Sequence, residues 1–336
     1  MCLTSITSSA NLLFIVNNKL LFSILFLVIV FSPSYAFTFE GPLQVKNQLP
    51  LFMYINAPYL ETARMENSFS AGFSYSSVYV VKNSPEWDVG LDMEVSELNL
   101  RLKKNIRDFL EVGVDIPFVS FNSGFMDGFL RSYHEAFGFP DYGRSARPDN
   151  EFLYDVRREG ALIVEGKSGR IAVGDIRVSI KKPVLSSDPA ISIKGDLELP
   201  TGDAGNGFGN GSIDAGLAIL FDKKLSETVK TYLNIGAVFP GDLKGNETIE
   251  LEEYIYGGAG VEACLGKHLS LLGQVLIQGS PYPKTDIPAL DRTAVILSFG
   301  GRYVSGKNSF ELSFTEDPNT SGAPDFTLNF SLKRKF

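Results

Sequence analysis

The chain is poor in the residues that build metal and redox sites. Of its 336 residues, two are histidine, two are cysteine and one is tryptophan. Zinc ribbons and zinc fingers need four nitrogen or sulfur ligands close together, so both are excluded. No cofactor or metal set is expected. Positive charge is also in the minority, with 31 Lys+Arg against 39 Asp+Glu and a formal charge of -8. A nucleic-acid-binding protein would present a basic face, and this balance argues against one. Past the first 36 residues, no apolar run reaches the roughly 18 residues of a transmembrane-helix candidate. Glycine (32) and aromatic residues (12%) are plentiful, which favours short turns and strands.

The beginning of the chain reads as an address. Lys19 precedes an apolar run at 20–31, followed by Ser32, Pro33 and the small-residue step Ser34, Tyr35, Ala36. A positive flank, an apolar core and such a step make a secretory leader, with cleavage expected after Ala36. The alternative, a membrane anchor, would need about 20 apolar residues, and Asn17, Asn18 and Lys19 cut the run short. Cys2 would leave with the leader. Cys264 would then stand alone, without an intrachain disulfide, as a small packing residue.

The rest of the chain alternates. Leu110, Val112, Val114, Ile116 and Phe118 are interleaved with Glu111, Gly113 and Asp115, and Phe326, Leu328, Phe330 and Leu332 with Thr327, Asn329, Ser331 and Lys333. Successive side chains of a strand point to opposite faces, so each segment has one apolar and one polar face. Twelve strands are expected, at 68–82, 87–104, 109–120, 170–181, 189–200, 212–221, 228–239, 251–265, 269–279, 291–304, 308–316 and 325–336. A soluble sandwich would turn the apolar faces toward each other; a membrane barrel would turn them toward lipid. Most of these strands have the length of about 9–11 residues that crosses a bilayer at a tilt. Short turns alternate with long connections, as in an outer-membrane barrel. The longest connection is 121–169, where a strand-like piece at 150–166 is read as a hairpin. Counting that piece as a thirteenth strand would put the termini on opposite rims. Within the second strand the apolar face switches near Ser96 and Glu97, which predicts a β-bulge.

The chain ends on Phe336, closing an amphipathic strand in the manner of an assembly signal. Ser123, Gly124, Asp127 and Gly128, then His134, Gly138, Pro140, Gly143 and Arg144, then Gly174, Asp175, Pro200, Thr201, Gly202, Asp203, Gly211 and Ser212 form a further pattern. Together they resemble an uncharacterised bacterial family, a domain of unknown function, of predicted outer-membrane barrels. The similarity runs from about Gly41 to the C-terminus. It implies the barrel architecture and carries no activity or catalytic residue.

One stretch reads as helix: Phe125, Phe129, Tyr133 and Phe137 recur every fourth position, with Asp127, Arg131 and His134 on another face. The aromatic face should be buried in the barrel mouth or against other loops. Asp127, Arg131, His134, Arg144 and Arg147 are the candidate site residues. Asp127 could orient His134 as a base while the arginines grip an anion; solvated ion pairs are the plainer reading. The glycine-rich 201–211 lacks the Lys-Ser/Thr of a phosphate loop and reads as a mobile outer loop. Asp92, Glu94, Asp115, Asp175, Arg177, Lys181, Lys194, Asp196, Glu198, Asp214, Lys230 and Glu262 are expected inside the barrel. Residues 37–67, including Asn47, Gln48, Leu49 and Pro50, precede the first strand and could plug it.

The expected architecture is thus all-β: a leader at 1–36, an N-terminal segment at 37–67, and a single antiparallel transmembrane β-barrel of about 12 strands at 68–336 with a short helix in its long outer loop. The expected place is the outer membrane of a Gram-negative bacterium. The partners are its lipid bilayer and, through Phe336, the barrel-assembly machinery. A passive or gated channel for small polar solutes is the leading function. An envelope- or lipid-modifying enzyme using His134, and a structural or binding barrel with a sealed lumen, are the alternatives.

Overall fold

Alternating strands fix two faces, and closure of the sheet decides which one looks inward. The computed structural model describes residues 38–107, 109–138, 143–318 and 321–336, without the side chains of His134 and Phe137. The leader read at 1–36, with its cleavage step, lies outside the described residues.

A short helix α1 (Pro50–Met53) precedes β1 (Ser68–Asn83), β2 (Trp87–Ile106) and β3 (Leu110–Asn122). The long connection then holds α2 (Asp127–Phe137) and the hairpin β4 (Leu153–Arg158) and β5 (Ala161–Glu165). The fourth wall strand is interrupted into β6 (Ile171–Val173) and β7 (Ile176–Leu185), and is followed by β8 (Ala190–Leu199), β9 (Asp214–Lys224) and β10 (Val229–Phe239). A small pair, β11 (Leu243–Lys244) and β12 (Thr248–Ile249), leads to β13 (Tyr254–Cys264) and β14 (Leu269–Gln278). After α3 (Pro288–Asp291) come β15 (Ala294–Ser305), β16 (Asn308–Glu316) and β17 (Phe326–Lys335). Twelve strands make a closed antiparallel wall, sealed where β1 pairs with β17 from Ser68↔Lys335 to Ser77↔Phe326. Above β3 the wall is continued by β4, which pairs with β2 from Trp87↔Arg158 to Asp92↔Leu153.

The apolar face looks outward. On β17, Leu328, Phe330 and Leu332 are 47%, 49% and 40% exposed, while Thr327, Asn329, Ser331 and Lys333 between them are buried. The same inversion holds at Leu217, Ile219, Leu233 and Ile235 on β9 and β10. A sandwich would bury these residues, whereas a barrel in lipid exposes them. The chain therefore has the fold of an outer-membrane barrel, one rim carrying short turns and the other long loops.

Strand β2 corrects two expectations. Its register runs unbroken against β1 from Asn83↔Asp88 to Ser68↔Lys103, and against β3 from Glu94↔Asn122 to Ile106↔Leu110. There is no bulge at Ser96 and Glu97. Trp87, Val89, Leu91, Met93 and Val95 point inward together with Glu97, Arg101 and Lys103. The switch in pattern records a change in the barrel interior, apolar near the long-loop rim and charged below it. By the same parity, Asp92 and Glu94 face outward with Leu98 and Leu102 rather than into the lumen, and they are buried because the long loop covers them.

The outward band predicts its own sensitivity. Ile219 opposes Ile235 halfway along β9 and β10. Ile219→Arg places a charge on the lipid face and is expected to lower stability by about 2–4 kcal/mol. Urea unfolding from vesicles measures this; an unchanged midpoint would contradict the outward assignment.

Candidate functional site

A chain segment inside a barrel has no neighbouring strand to satisfy its backbone, so the wall must supply partners. Residues 38–67 run inside the ring of strands, rising from the short-turn rim, turning at α1 and descending to β1. On the rising limb Glu40 N–H and Gly41 N–H donate to Glu262 at 3.1 and 3.3 Å, and Leu43 N–H donates to Gln274 at 2.9 Å. At the turn, Asn47 Oδ1 accepts Leu49 N–H at 2.9 Å and Pro50 opens α1. On the descending limb the Tyr254 hydroxyl donates to Ile55 O (2.8 Å) and Arg177 to Ala57 O (2.9 Å). Lower down, Asn234 accepts Glu61 N–H (2.7 Å) and Asp222 accepts Ala63 N–H (2.8 Å). Buried polar side chains of the wall thus do what a ladder would do.

Charge adds to the fit. Glu61 of the inserted segment lies between Lys103 at 2.5 Å and Lys194 at 2.8 Å, and Lys46 is 3.3 Å from Glu97. Lys333 reaches Glu66 at 3.1 Å and Glu40 at 3.3 Å. The wall also pairs with itself: Arg302, fully buried, bonds Glu262 at 2.7 Å and Glu311 at 2.8 Å. Toward the long-loop rim the contacts become apolar. Leu49, Phe52 and Met53 pack among Val78, Trp87 and Tyr282, with the Phe52 and Tyr282 rings edge to face at 5.6 Å.

The glycine-rich loop closes over this inserted segment. The Asp175 carboxylate accepts Gly202 N–H and Asn210 N–H, each at 2.8 Å, and Phe208 stacks on Phe121 at 4.9 Å. The loop read as mobile is thereby pinned into the mouth.

The five sequence candidates lie elsewhere, in the long loop outside the wall. Helix α2 and the residues just before it rest against the outer faces of β1 and β17: Phe125, ahead of the helix, stacks on Tyr75 at 5.5 Å, and Phe129 within it meets Phe326 at 6.0 Å. The aromatic stripe is therefore not buried in the mouth; Phe125 remains 72% exposed. Arg144 bridges Asp127 and Asp325, and Arg147 bonds Asp92 at 2.6 Å and Glu151 at 2.9 Å. Arg131 pairs with Asp149, and this hydrogen bond holds the Asp149 carboxyl below its usual range. Burial, then Glu316, pushes the Tyr133 phenol up to about 12. Asp127, expected to orient His134, is engaged by Arg144 and by Asn150 N–H at 2.7 Å, and the His134 side chain lies outside the described residues. Among the described residues, these groups fasten the loop to itself and to the wall.

A family model described as a protein of unknown function, DUF3187, matches residues 19–336. The chain belongs to the DUF3187 family. No curated protein matches this DUF3187 chain. Among solved structures, the COG4313 outer membrane channel from Pseudomonas putida F1 is 17% identical, with a TM-score of 0.54 over 81% of this chain and 96% of that one. The P. putida toluene transporter TodX is 11% identical (TM-score 0.41; 81% and 91% covered). The KdgM porin with disordered oligogalacturonate is 5% identical (TM-score 0.43; 80% and 99% covered).

Within the DUF3187 barrel, sequence reasoning passed over Arg302 and Glu311, although both stand at the inward parity of their strands. Removing Arg302 would leave two buried carboxylates uncompensated. Arg302→Ala is expected to destabilise by about 3–5 kcal/mol. Arg131→Ala, at a pair whose side chains are 41% and 37% exposed, should change stability by only about 0–1 kcal/mol. Thermal unfolding of both variants in detergent checks the contrast.

Proposed function

We propose that this protein is a gated outer-membrane channel for small polar solutes, with residues 38–67 as its resident plug. The observation that carries the reading is the occupied lumen. About 8 strands give an interior that side chains can fill, while 16 leave an aqueous pore. Twelve strands enclose more room than their own side chains need, and here a separate segment takes it up. Its lower half is held by polar contacts, which water can replace when the segment moves. The inserted length has both ends at the short-turn rim, so it can withdraw without crossing the wall. In this reading the chain is exported with a leader ending at Ala36, and Phe336 presents the last strand to the barrel-assembly machinery.

A sealed structural barrel would share the same closed geometry. A His134-dependent lipid enzyme draws less support, since Asp127 is committed to Arg144 and Asn150.

Deleting residues 42–62 separates the readings. In planar bilayers the full chain should give rare openings, and the deletion variant long-lived conductance steps. A deletion variant that runs as a folded, heat-modifiable barrel yet never conducts would overturn the channel reading.

A further inference from the structure

Contacts between plug and wall are unevenly distributed around the lumen. Strands β2, β3 and β7 to β10 bind the inserted segment through charged and amide side chains, including Lys103, Lys181, Lys194, Asp222 and Asn234. The inner face of β1 is different. It presents Ser70, Gly72, Ser74 and Ser76, and β17 beside it presents Thr327, Asn329 and Ser331. These groups bond one another instead of the plug: Ser74 with Asn329 at 2.7 Å, Ser76 with Thr327 at 2.9 Å, and Asn329 with Thr315 of β16 at 3.2 Å. Among the described residues, no side chain of Ser70, Ser74, Ser76 or Ser331 bonds the inserted segment.

A cavity of about 20 Å³ lies on this seam, between Gln44, Gln48 and Tyr59 of the plug and Ser70, Gly72, Ser74 and Ser331 of the wall. That is room for about one water molecule. Four oxygens around it lack a hydrogen-bond partner: Gln48 Oε1, Asn99 Oδ1, Ser331 Oγ and Glu97 Oε2, the last facing only the Lys46 ion pair. Gln48 and Ser331 are 2% and 5% exposed. A buried polar oxygen without a partner is costly, so such a site selects hydrogen-bonding occupants. The charges at its margin are already matched, Glu97 by Lys46 at 3.3 Å and Arg101 by Asp115 at 2.7 Å.

We infer that the seam between the plug and the β17–β1 wall is the permeation path, and that it passes uncharged, hydroxyl-bearing solutes of about glycerol size. This rests on the channel reading above and names its route and substrate class. Lys333 of β17 closes the seam at the short-turn rim through its ion pairs with Glu40 and Glu66, which part when it opens. Above them, widening the seam breaks no ion pair of the plug, so this is the interface that parts most readily. Hydroxyl and amide groups there replace a solute's water without offering a counter-charge.

The test is swelling of vesicles containing the full-length protein, in glycerol and in its charged counterpart, potassium glycerate. A Cβ on Gly72 would come no nearer than 4.0 Å to Ser331 Cβ, so a side chain there starts into the seam without a backbone clash and, beyond its Cβ, must displace the plug. Gly72→Phe should abolish glycerol-driven swelling while the barrel stays folded. Since that variant could fail to assemble, Ser74→Cys and Ser192→Cys are made separately in a Cys2→Ser, Cys264→Ser background and treated with methyl methanethiosulfonate. Ser192, on the opposite wall, bonds Ala63 O and is fully buried. The expected result is loss of swelling on modification at Ser74→Cys and none at Ser192→Cys. Unchanged permeation in Gly72→Phe and modified Ser74→Cys, or equal rates for glycerol and glycerate, would overturn the seam and leave the channel standing. No permeation by the unmodified protein or by the plug-deleted barrel would overturn both.

Discussion

Backbone hydrogen bonding is the constraint on which this architecture depends. In hydrocarbon an unpaired N–H or C=O costs several kcal/mol, so a spanning sheet must close. The β1–β17 pairing meets that demand and turns twelve strands into a wall. Inside, the same demand falls on a segment that has no ladder of its own. The wall answers with Asp222, Asn234, Gln274, Arg177 and Glu262, each spending its side chain on the visitor's main chain. The charged interior is thus explained by the irregular backbone it encloses.

Two kinds of cohesion hold the insert, at different heights. Near the long-loop rim Phe52, Met53 and Trp87 exclude water, and the attraction grows with the apolar area removed from solvent. Below, Glu61 and Lys103 exchange hydration for each other, a trade that contributes little net stability but fixes one arrangement. The β2 strand shows both zones along one inward row, from Trp87 to Lys103.

Strand positions were legible in the sequence because lipid and lumen impose a strict period of two: Asn308–Glu316 was read to the residue, and other ends to within a few. The β2 interior was misread because an inward apolar stretch and an outward one look identical along a single strand. Only the neighbouring register tells them apart, and it is continuous through Ser96. The helix in the long loop was visible at its repeat of aromatics, but its resting place on Tyr75 and Phe326 depends on residues some 50 and 200 positions away. The arginine candidates were real ion-pair formers, but two of their partners, Asp325 for Arg144 and Asp92 for Arg147, were too remote in sequence to nominate. The hydroxyl-rich stripe of β1 was written plainly, in Ser70, Ser74 and Ser76, yet its meaning appears only beside the segment it declines to bind.

The inserted segment is covalently continuous with β1 through Asn67, and its hairpin path keeps that tether at one rim. If the segment moves as in the proposed gating, a displaced stopper on so short a leash stays at an effective concentration in the millimolar range at its own seat. Resealing is then a first-order event of single molecules, insensitive to how densely the barrels populate the membrane, and a stopper once withdrawn is never lost to the surrounding compartment.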